Sequence, residues 1–285
     1  MIYPSWLKVK AVPLEQQAYV ERLLRQSDLH TVCESACCPN IGECFARKTA
    51  TFLILGNICT RNCRFCAVTK GIPVDLDTTE PARLVKAIKS LELRYVVITS
   101  VTRDDLPDGG AFLFAESVGM IRNLDPEISV EVLIPDFLGL KSSLAKVAAS
   151  RPSVINHNVE TVPRLYRLIR PKADYKRSLN LLRAVKVIDP QIRTKSGIML
   201  GLGESDDEVL QTMQDLRDTG CEFITIGQYL APTARHAPVS RYVEPAQFRQ
   251  FGKKASEMGF LHVASAPLVR SSYHADEAFK MLTVD

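Results

Sequence analysis

Three cysteines, Cys59, Cys63 and Cys66, fall in the segment CTRNCRFCAV with a C-x3-C-x2-C spacing. A tight loop presenting three thiolates can hold three corners of a cubane [4Fe-4S] cluster while the fourth iron has no protein ligand, and an open iron is a place for chemistry. A structural zinc site is the bland alternative, but it needs four ligands, and this loop supplies three with no histidine inside it. A second set, Cys33, Cys38 and Cys44 in CESACCPNIGEC, has a C-x4-C-x5-C spacing unlike an ordinary zinc knuckle, and is again a set of three. Cys37 sits beside Cys38, where adjacent side chains diverge, and reads as a bystander. His30 could complete a zinc site, although a lone histidine beside a helix end is more often a surface or packing residue. Cys221, in a strand pattern, reads as a small buried apolar residue.

The bulk composition agrees with a metal or redox role for these thiols. Seven of the eight cysteines lie between Cys33 and Cys66, and the opening MIYPSWLKVKAVPLEQQ has no unbroken apolar stretch of the kind an export signal needs. Cytoplasmic thiols are kept reduced, so a cytoplasmic protein without a disulfide framework is expected. No stretch approaches the ~20 apolar residues that span a bilayer, and no membrane partner is expected. Lys and Arg total 36 against 32 acidic residues, a charge of +4 spread along the chain, which makes no case for nucleic acid. With 46% hydrophobic and 24% charged residues the chain is globular, which excludes mainly disordered and collagen-like classes.

The elements that must position the thiols can be read from periodicity. Residues 1–48 carry one helix, PLEQQAYVERLLRQSDL, and the turn-rich CESACCPNIGECF, and read as an N-terminal extension. From Thr49 onward, β-branched apolar runs recur as TATFLILG, YVVITSV, VEVLIPDF, SVINHNV, RTKSGIMLG and EFITIGQYL, six candidate buried strands. Between them lie helix-compatible stretches such as EPARLVKAIKSLEL, GLKSSLAKVAAS, YKRSLNLLRAVKVI and SDDEVLQTMQDLRDTG. Repeated right-handed βα units give a parallel sheet with helices outside, so the expected fold is α/β, a partial (βα)6 TIM-type barrel over residues 49–260. PAQFRQFGKKASEMG reads as a further helix, and residues 261–285 as a C-terminal extension in which a strand runs into a polar tail. The loop with Cys59 follows the first barrel strand, TFLILGN, at the C-terminal edge where barrel active sites are built.

With Phe65 just before its last cysteine, the C-x3-C-x2-C loop resembles the signature of the radical S-adenosylmethionine superfamily. The resemblance implies that Cys59, Cys63 and Cys66 hold a cluster whose open iron chelates the amino and carboxylate groups of S-adenosylmethionine. Both triplets, followed near the C-terminus by Arg270-Ser271-Ser272-Tyr273, resemble the lipoyl synthase family. PSWLKVK, TSVTRDDLPDGGA, NHNVETVPRLY, SGIMLGLGE and GQYLAPT look like that family's segments in its order, so the likeness covers nearly the whole chain. It implies that Cys33, Cys38 and Cys44 hold an auxiliary [4Fe-4S] cluster whose fourth ligand is a serine, placed on Ser272 with Ser271 as the fallback. An alkoxide is harder than a thiolate and poorly matched to a soft iron-sulfide centre, so it should be the easiest ligand to lose.

By the same resemblance the auxiliary cluster is the sulfur source, and sulfur enters at C6 and C8 of an octanoyl chain. That chain would be carried on the lysine of a lipoyl carrier domain or a glycine cleavage H-type protein. Further implied partners are a low-potential electron donor such as ferredoxin or flavodoxin, and an iron-sulfur carrier that rebuilds the spent cluster. An alkyl C–H bond has no acidity that a protein base could exploit, so the cofactor does the hard step while the protein supplies orientation and water exclusion. The resemblance also places Asp108, Gly109 and Gly110 where radical enzymes commonly bind the cofactor's amino end, although DGG alone is usually a turn. Asn158 and Glu160 close the strand pattern VINHNVE, a position suited to ribose hydroxyls. The run Arg164, Arg167, Arg170, Lys172, Lys176 and Arg177 is either a solvated helix face or a dock for an acidic carrier domain. Trp6 reads as a packing residue. Rival readings are biotin synthase, which lacks the N-terminal triplet; a tRNA methylthiolase, which should add a basic RNA-binding module; and a non-catalytic zinc-binding module.

Overall fold

A computed structural model describes residues 4–8, 14–47 and 49–280. The chain divides into two compact units, one formed by Lys10–Arg61 and Val68–Ile155, the other by Met1–Val9, Asn62–Ala67 and Asn156–Asp285.

In chain order, the first of these contains α1 (Leu14–Gln26), β1 (His30–Thr31), α2 (Val32–Ser35), α3 (Ile41–Ala46), β2 (Thr51–Ile54), β3 (Ile58–Cys59), β4 (Thr69–Lys70), α4 (Glu80–Leu91), β5 (Tyr95–Ser100), α5 (Ala111–Leu124), β6 (Ser129–Leu133) and α6 (Lys141–Ala149), and reaches into β7 (Val154–Asn156). β2 pairs parallel with β5 and β5 with β6, whereas β1 adds an antiparallel edge to β2. The helices cover these strands through apolar stripes. In α4 the buried residues Leu84, Ala87, Ile88 and Leu91 recur at the 3.6-residue period, and the leucines and isoleucine contribute about 1.5–3 kcal/mol each on leaving water.

The second unit contains α7 (Tyr166–Ile169), α8 (Tyr175–Ile188), β8 (Arg193–Leu200), α9 (Asp206–Arg217), β9 (Phe223–Gln228), α10 (Pro245–Glu257), β10 (His262–Ser265) and α11 (Ala275–Lys280). β8, β9 and β10 are parallel. Helix starts are written in the sequence: Asp174 caps α8, and Ser205 and Glu208 form a reciprocal capping box on α9. Phe248, Phe251 and Ala255 of α10 are buried, as are Val209, Met213 and Leu216 of α9.

By hydrogen-bonded neighbour the strands run β1-β2-β5-β6 in the first unit and β8-β9-β10 in the second, and the six expected strands are β2, β5, β6, β7, β8 and β9. The fold is α/β with a mostly parallel sheet, as the alternation of strand and helix patterns requires.

Three local expectations are corrected. The segment after His30 is less turn-rich than it reads, because Thr31 caps α2 by accepting from Glu34 N at 3.2 Å and donating to the Glu34 carboxylate at 2.6 Å, a T-x-x-E cap. The strand expected over VINHNVE stops at Asn156; Glu160 rejoins β8 through a single bridge to Ile198. Arg170 causes the break by donating to the carbonyls of Asn158 and Val159 at 3.0 and 3.1 Å, which takes them out of any strand ladder. Trp6, expected to pack, keeps 38% of its surface exposed.

Candidate functional site

The N-terminal thiols are shaped by α2, α3 and the turn between them. Cys33 is buried in α2, Cys44 is partly buried in α3, and Cys38 stands between the two helices. Burial pushes the Cys33 thiol up to about 11, with the neighbouring Cys38 adding to the rise. Burial likewise pushes Cys44 up to about 12, and the next contributions come from Cys33 and Cys38. The three sulfurs therefore share one neighbourhood. Cys37 is exposed with φ at 50°, consistent with a bystander held in a left-handed turn.

A zinc ion bound at 2.3 Å in tetrahedral geometry would need sulfurs about 3.8 Å apart. Among the described residues no three His, Cys, Asp or Glu side chains gather as a single ion requires. Three thiols from one short segment are a donor set that suits three corners of a cubane.

The second triplet starts on β3, directly after β2. Its first residues are fixed by an anchor that the spacing of the cysteines did not reveal. Thr60 donates from its backbone N–H and its hydroxyl to Thr102 O, both at 3.0 Å. The Arg61 guanidinium is buried and reaches Asp104 with two hydrogen bonds of 2.8 Å and Asp136 with one of 2.5 Å. Burial opposes its charge, but the hydrogen bonds that it donates to Asp104 and Asp136 more than offset this and raise its pKa. The Arg61 backbone N–H in turn donates to Cys59 Sγ at 3.4 Å. Upstream, Glu80 accepts from Leu55 N at 2.7 Å and holds the exit from β2; burial raises its pKa. A lone Arg between two cysteines carries no motif, so only the pairing with TRDD and PDF, far along the chain, identifies this clamp.

In the other unit, Arg64 is tied through its backbone to Ile169 O and Ala237 N, each at 2.8 Å. His236 Nε2 meets Cys66 O at 3.2 Å, and Cys66 N donates to Cys63 O at 3.3 Å. These contacts give Cys63 and Cys66 their turn; Phe65 lies between them, half-buried.

The Asp108-Gly109-Gly110 segment is a helix start. Asp108 accepts from Gly110 N and Phe112 N at 3.0 Å each and pairs with Lys146 at 2.7 Å, which together draw its carboxyl below the usual range although burial opposes this. A Cβ on Gly110, which has φ at +86°, would come within 2.3 Å of Leu55 Cδ1. Three of the carboxylate's roughly four acceptor sites are thus in use.

Asn158 and Glu160 do come together. Asn158 Nδ2 donates to Glu160 Oε1 at 3.1 Å. Burial raises the Glu160 pKa against the opposing Arg170 charge and the Asn158 hydrogen bond. Of the two candidate serines, Ser271 is engaged twice, accepting from Asn156 Nδ2 at 2.8 Å and donating to Asn158 Oδ1 at 3.0 Å. The Ser272 hydroxyl makes no hydrogen bond among the described residues.

The basic run divides. Arg164 pairs with Glu208 at 2.7 Å, and Arg170 is buried against the Tyr166 ring and the carbonyls already named. Arg170 is therefore a positioning residue for the Asn158 segment and not part of a docking face. Arg167, Lys172 and Lys176 are exposed. Cys221 is fully buried, as expected of a small apolar residue, and burial raises its thiol to about 12. No helix among the described residues is long and apolar enough to cross a membrane.

A parallel βα series with a three-cysteine loop at the end of its first parallel strand defines a Radical SAM superfamily protein, and the profile of that superfamily matches residues 53–216. Two solved structures share the fold. One is methylornithine synthase, with a TM-score of 0.53 at 14% identity over 88% of this chain and 78% of that one. The other is Streptococcus suis SuiB bound to S-adenosylmethionine, with a TM-score of 0.58 at 11% identity over 76% of this chain and 50% of that one. Sequence relatives are far closer. The lipoyl synthase of Caldanaerobacter subterraneus subsp. tengcongensis is 59% identical over 96% of this chain and 95% of its own. That of Caldicellulosiruptor saccharolyticus is 53% identical over 98% of each. The chain belongs to the lipoyl synthase family.

Proposed function

We infer that this chain is a radical S-adenosylmethionine enzyme that inserts two sulfur atoms, at C6 and C8, into an octanoyl group carried on a protein. The observation that carries the reading is the pair of cysteine triplets and the RSSY segment, in a chain 59% identical over 96% of its length to a lipoyl synthase.

Cys59, Cys63 and Cys66 would hold the cofactor-cleaving cluster, and Cys33, Cys38, Cys44 and Ser272 the auxiliary one. When bound, the first supplies with S-adenosylmethionine a radical that takes hydrogen from an unactivated C–H bond, and the second supplies sulfide. The protein's own part is placement. The Arg61 clamp and the Thr60 contacts fix the start of the loop, and the His236 contact fixes its end. Asn158 and Glu160 present an amide and a carboxylate as partners for ribose hydroxyls. Of the two serines, Ser272 has the hydroxyl left over for a metal, since Ser271 spends its own on Asn156 and Asn158. Hydroxyl ligation makes that corner the one most readily released.

The substrate is a lipoyl carrier. We assign it as an octanoylated lipoyl domain or glycine cleavage H-type protein, with a ferredoxin or flavodoxin as electron donor and an iron-sulfur carrier for repair. Anaerobically reconstituted protein should contain about eight iron and eight sulfide per chain, and should thiolate an octanoyl-lysine peptide given cofactor and reductant, read by mass spectrometry. Cys63→Ala should abolish formation of 5′-deoxyadenosine. Cys38→Ala should keep it and lose sulfur insertion. Zinc without sulfide, or thiolated product from Cys38→Ala, would overturn the assignment.

A further inference from the structure

The two serines of RSSY do different things, and the first is tied to Asn156 and to the Asn158–Glu160 pair. Asn156 Nδ2 donates to Ser271 Oγ at 2.8 Å, Ser271 Oγ donates to Asn158 Oδ1 at 3.0 Å, and Asn158 Nδ2 donates to Glu160 Oε1 at 3.1 Å. The side chains thus form one directional chain from β7 through the C-terminal turn to Glu160. Asn156 is fully buried and Asn158 nearly so, while Ser271 and Glu160 are partly exposed, so the chain runs from the interior towards the surface and is partly shielded from water.

The neighbouring strands are shaped to accept this turn. A Cβ on Gly197 of β8 would stand 2.9 Å from Asn158 Oδ1 and 2.7 Å from Thr225 Oγ1, so glycine leaves the space in which the Asn158 amide meets Ser271. A Cβ on Gly227 of β9 would stand 2.1 Å from the Val269 carbonyl, so glycine also lets the backbone leading into RSSY lie against the strand. Gln228 N donates to Pro267 O at 3.1 Å and Ala266 N to Ile226 O at 3.2 Å, which seats the same segment on β9. Three strands therefore contribute to where Ser271 stands.

We propose that Ser271 is a positioning residue that couples the turn carrying Ser272 to the Asn158–Glu160 pair, so that cofactor binding at that pair and the placement of the serine ligand depend on each other. The proposal rests on the functional reading above, which places the cofactor at Asn158 and Glu160 and the auxiliary cluster's fourth ligand on Ser272. It assigns the otherwise redundant first serine a separate task. Removing its hydroxyl leaves the Asn158 amide free to turn, and with it the carboxylate of Glu160. Coupling is reciprocal, so a turn loosened at Ser271 weakens cofactor binding, and bound cofactor steadies the turn.

The experiment compares Ser271→Ala, Ser271→Thr and Ser272→Ala in the anaerobically reconstituted holoprotein. Two readouts are used, S-adenosylmethionine affinity by equilibrium dialysis and the Mössbauer spectrum of the clusters. Ser271→Ala should keep the iron content and the hydroxyl-ligated iron signature of the wild type and bind the cofactor on the order of tenfold more weakly, the effect of one hydrogen bond. Ser271→Thr, which keeps the hydroxyl, should restore most of that affinity. Ser272→Ala should lose the distinct iron site. An unchanged affinity in Ser271→Ala, or loss of the distinct iron site in Ser271→Ala with its retention in Ser272→Ala, overturns the proposal. A Ser271→Ala protein that loses affinity with no recovery in Ser271→Thr also counts against it, since the hydroxyl would not be the group that matters. If wild-type protein takes up no clusters or does not bind the cofactor, the functional reading fails first, and the two failures are told apart.

Discussion

Arg61→Met tests whether the cysteine loop is held by the buried clamp. The arginine side chain is 4% exposed and the carboxylates it joins are 0% exposed at Asp136 and 20% at Asp104. Methionine fills much of the volume but takes away the cation that Arg61 supplies to the buried Asp136. Breaking a buried ion pair by removing one partner costs about 3–5 kcal/mol, most of it the penalty for the charge left behind. For a chain of this size each kcal/mol moves the melting temperature by about 2–4 °C, so the anaerobic holoprotein should lose on the order of 10 °C in calorimetry. Adding Asp136→Asn removes the orphaned charge while its amide oxygen can still accept from Leu138 N, as Asp136 does at 3.1 Å, and should return about 1–3 kcal/mol of the loss. Lys253→Met is the control. Its ion pair with Glu257 is long at 3.8 Å and 79% exposed on the lysine side, a kind worth about 0–1 kcal/mol and screened by salt. The Arg61 backbone N–H that donates to Cys59 Sγ is held in place by the clamp, so Arg61→Met, which keeps that N–H but frees the backbone carrying it, should in addition release iron to a chelator faster than the wild type. A melting temperature no lower than that of Lys253→Met, or a double variant no better than the single one, would refute the clamp.

Two further outcomes test the positioning of the site. Gly227→Ala should lose sulfur insertion while keeping cofactor cleavage measurable, because its Cβ at 2.1 Å from the Val269 carbonyl must push the RSSY backbone off β9; product analysis of an octanoyl-lysine peptide checks this. Charge reversal at the exposed Arg167 and Lys176 should weaken binding of an acidic carrier domain several-fold at low salt and much less at high salt, measured by titration calorimetry. Arg170 belongs to neither surface variant, since its reversal would bury an anion beside Glu160 and test folding instead.

Much of the fold was legible because its signals are local. Six apolar runs became strands, and the amphipathic stripe of α4 and the S-x-x-E start of α9 marked helices without help from distant residues. α5 was harder to see, since AFLFAESVGMIRNL is apolar on most faces and lacks a side-chain cap; its start is fixed instead by Asp108 accepting from the first turn. The break after Asn156 could not be read from VINHNVE, whose pattern is that of a strand. It is imposed by Arg170 from twelve and eleven residues away, taking the Asn158 and Val159 carbonyls. Local pattern thus gives the elements, and tertiary partners decide where they end.

The same division governs the site. Cysteine spacing is informative because a cluster constrains thiolates within a short loop, and that constraint is visible in one dimension. What keeps the loop in place is spread over the chain: Asp104 and Asp136 lie 43 and 75 residues from Arg61, and Asn156 and Asn158 lie 115 and 113 residues from Ser271. No spacing rule reaches so far. The two serines of RSSY are chemically identical in the sequence, and only their partners separate them, one hydroxyl used up between the Asn156 and Asn158 amides and the other left over. A ligand that is to be released cannot also hold the turn in place. On the proposed assignment, dividing the two tasks between adjacent serines would let Ser272 let go of iron while Ser271 keeps the backbone, and with it Glu160, where it was.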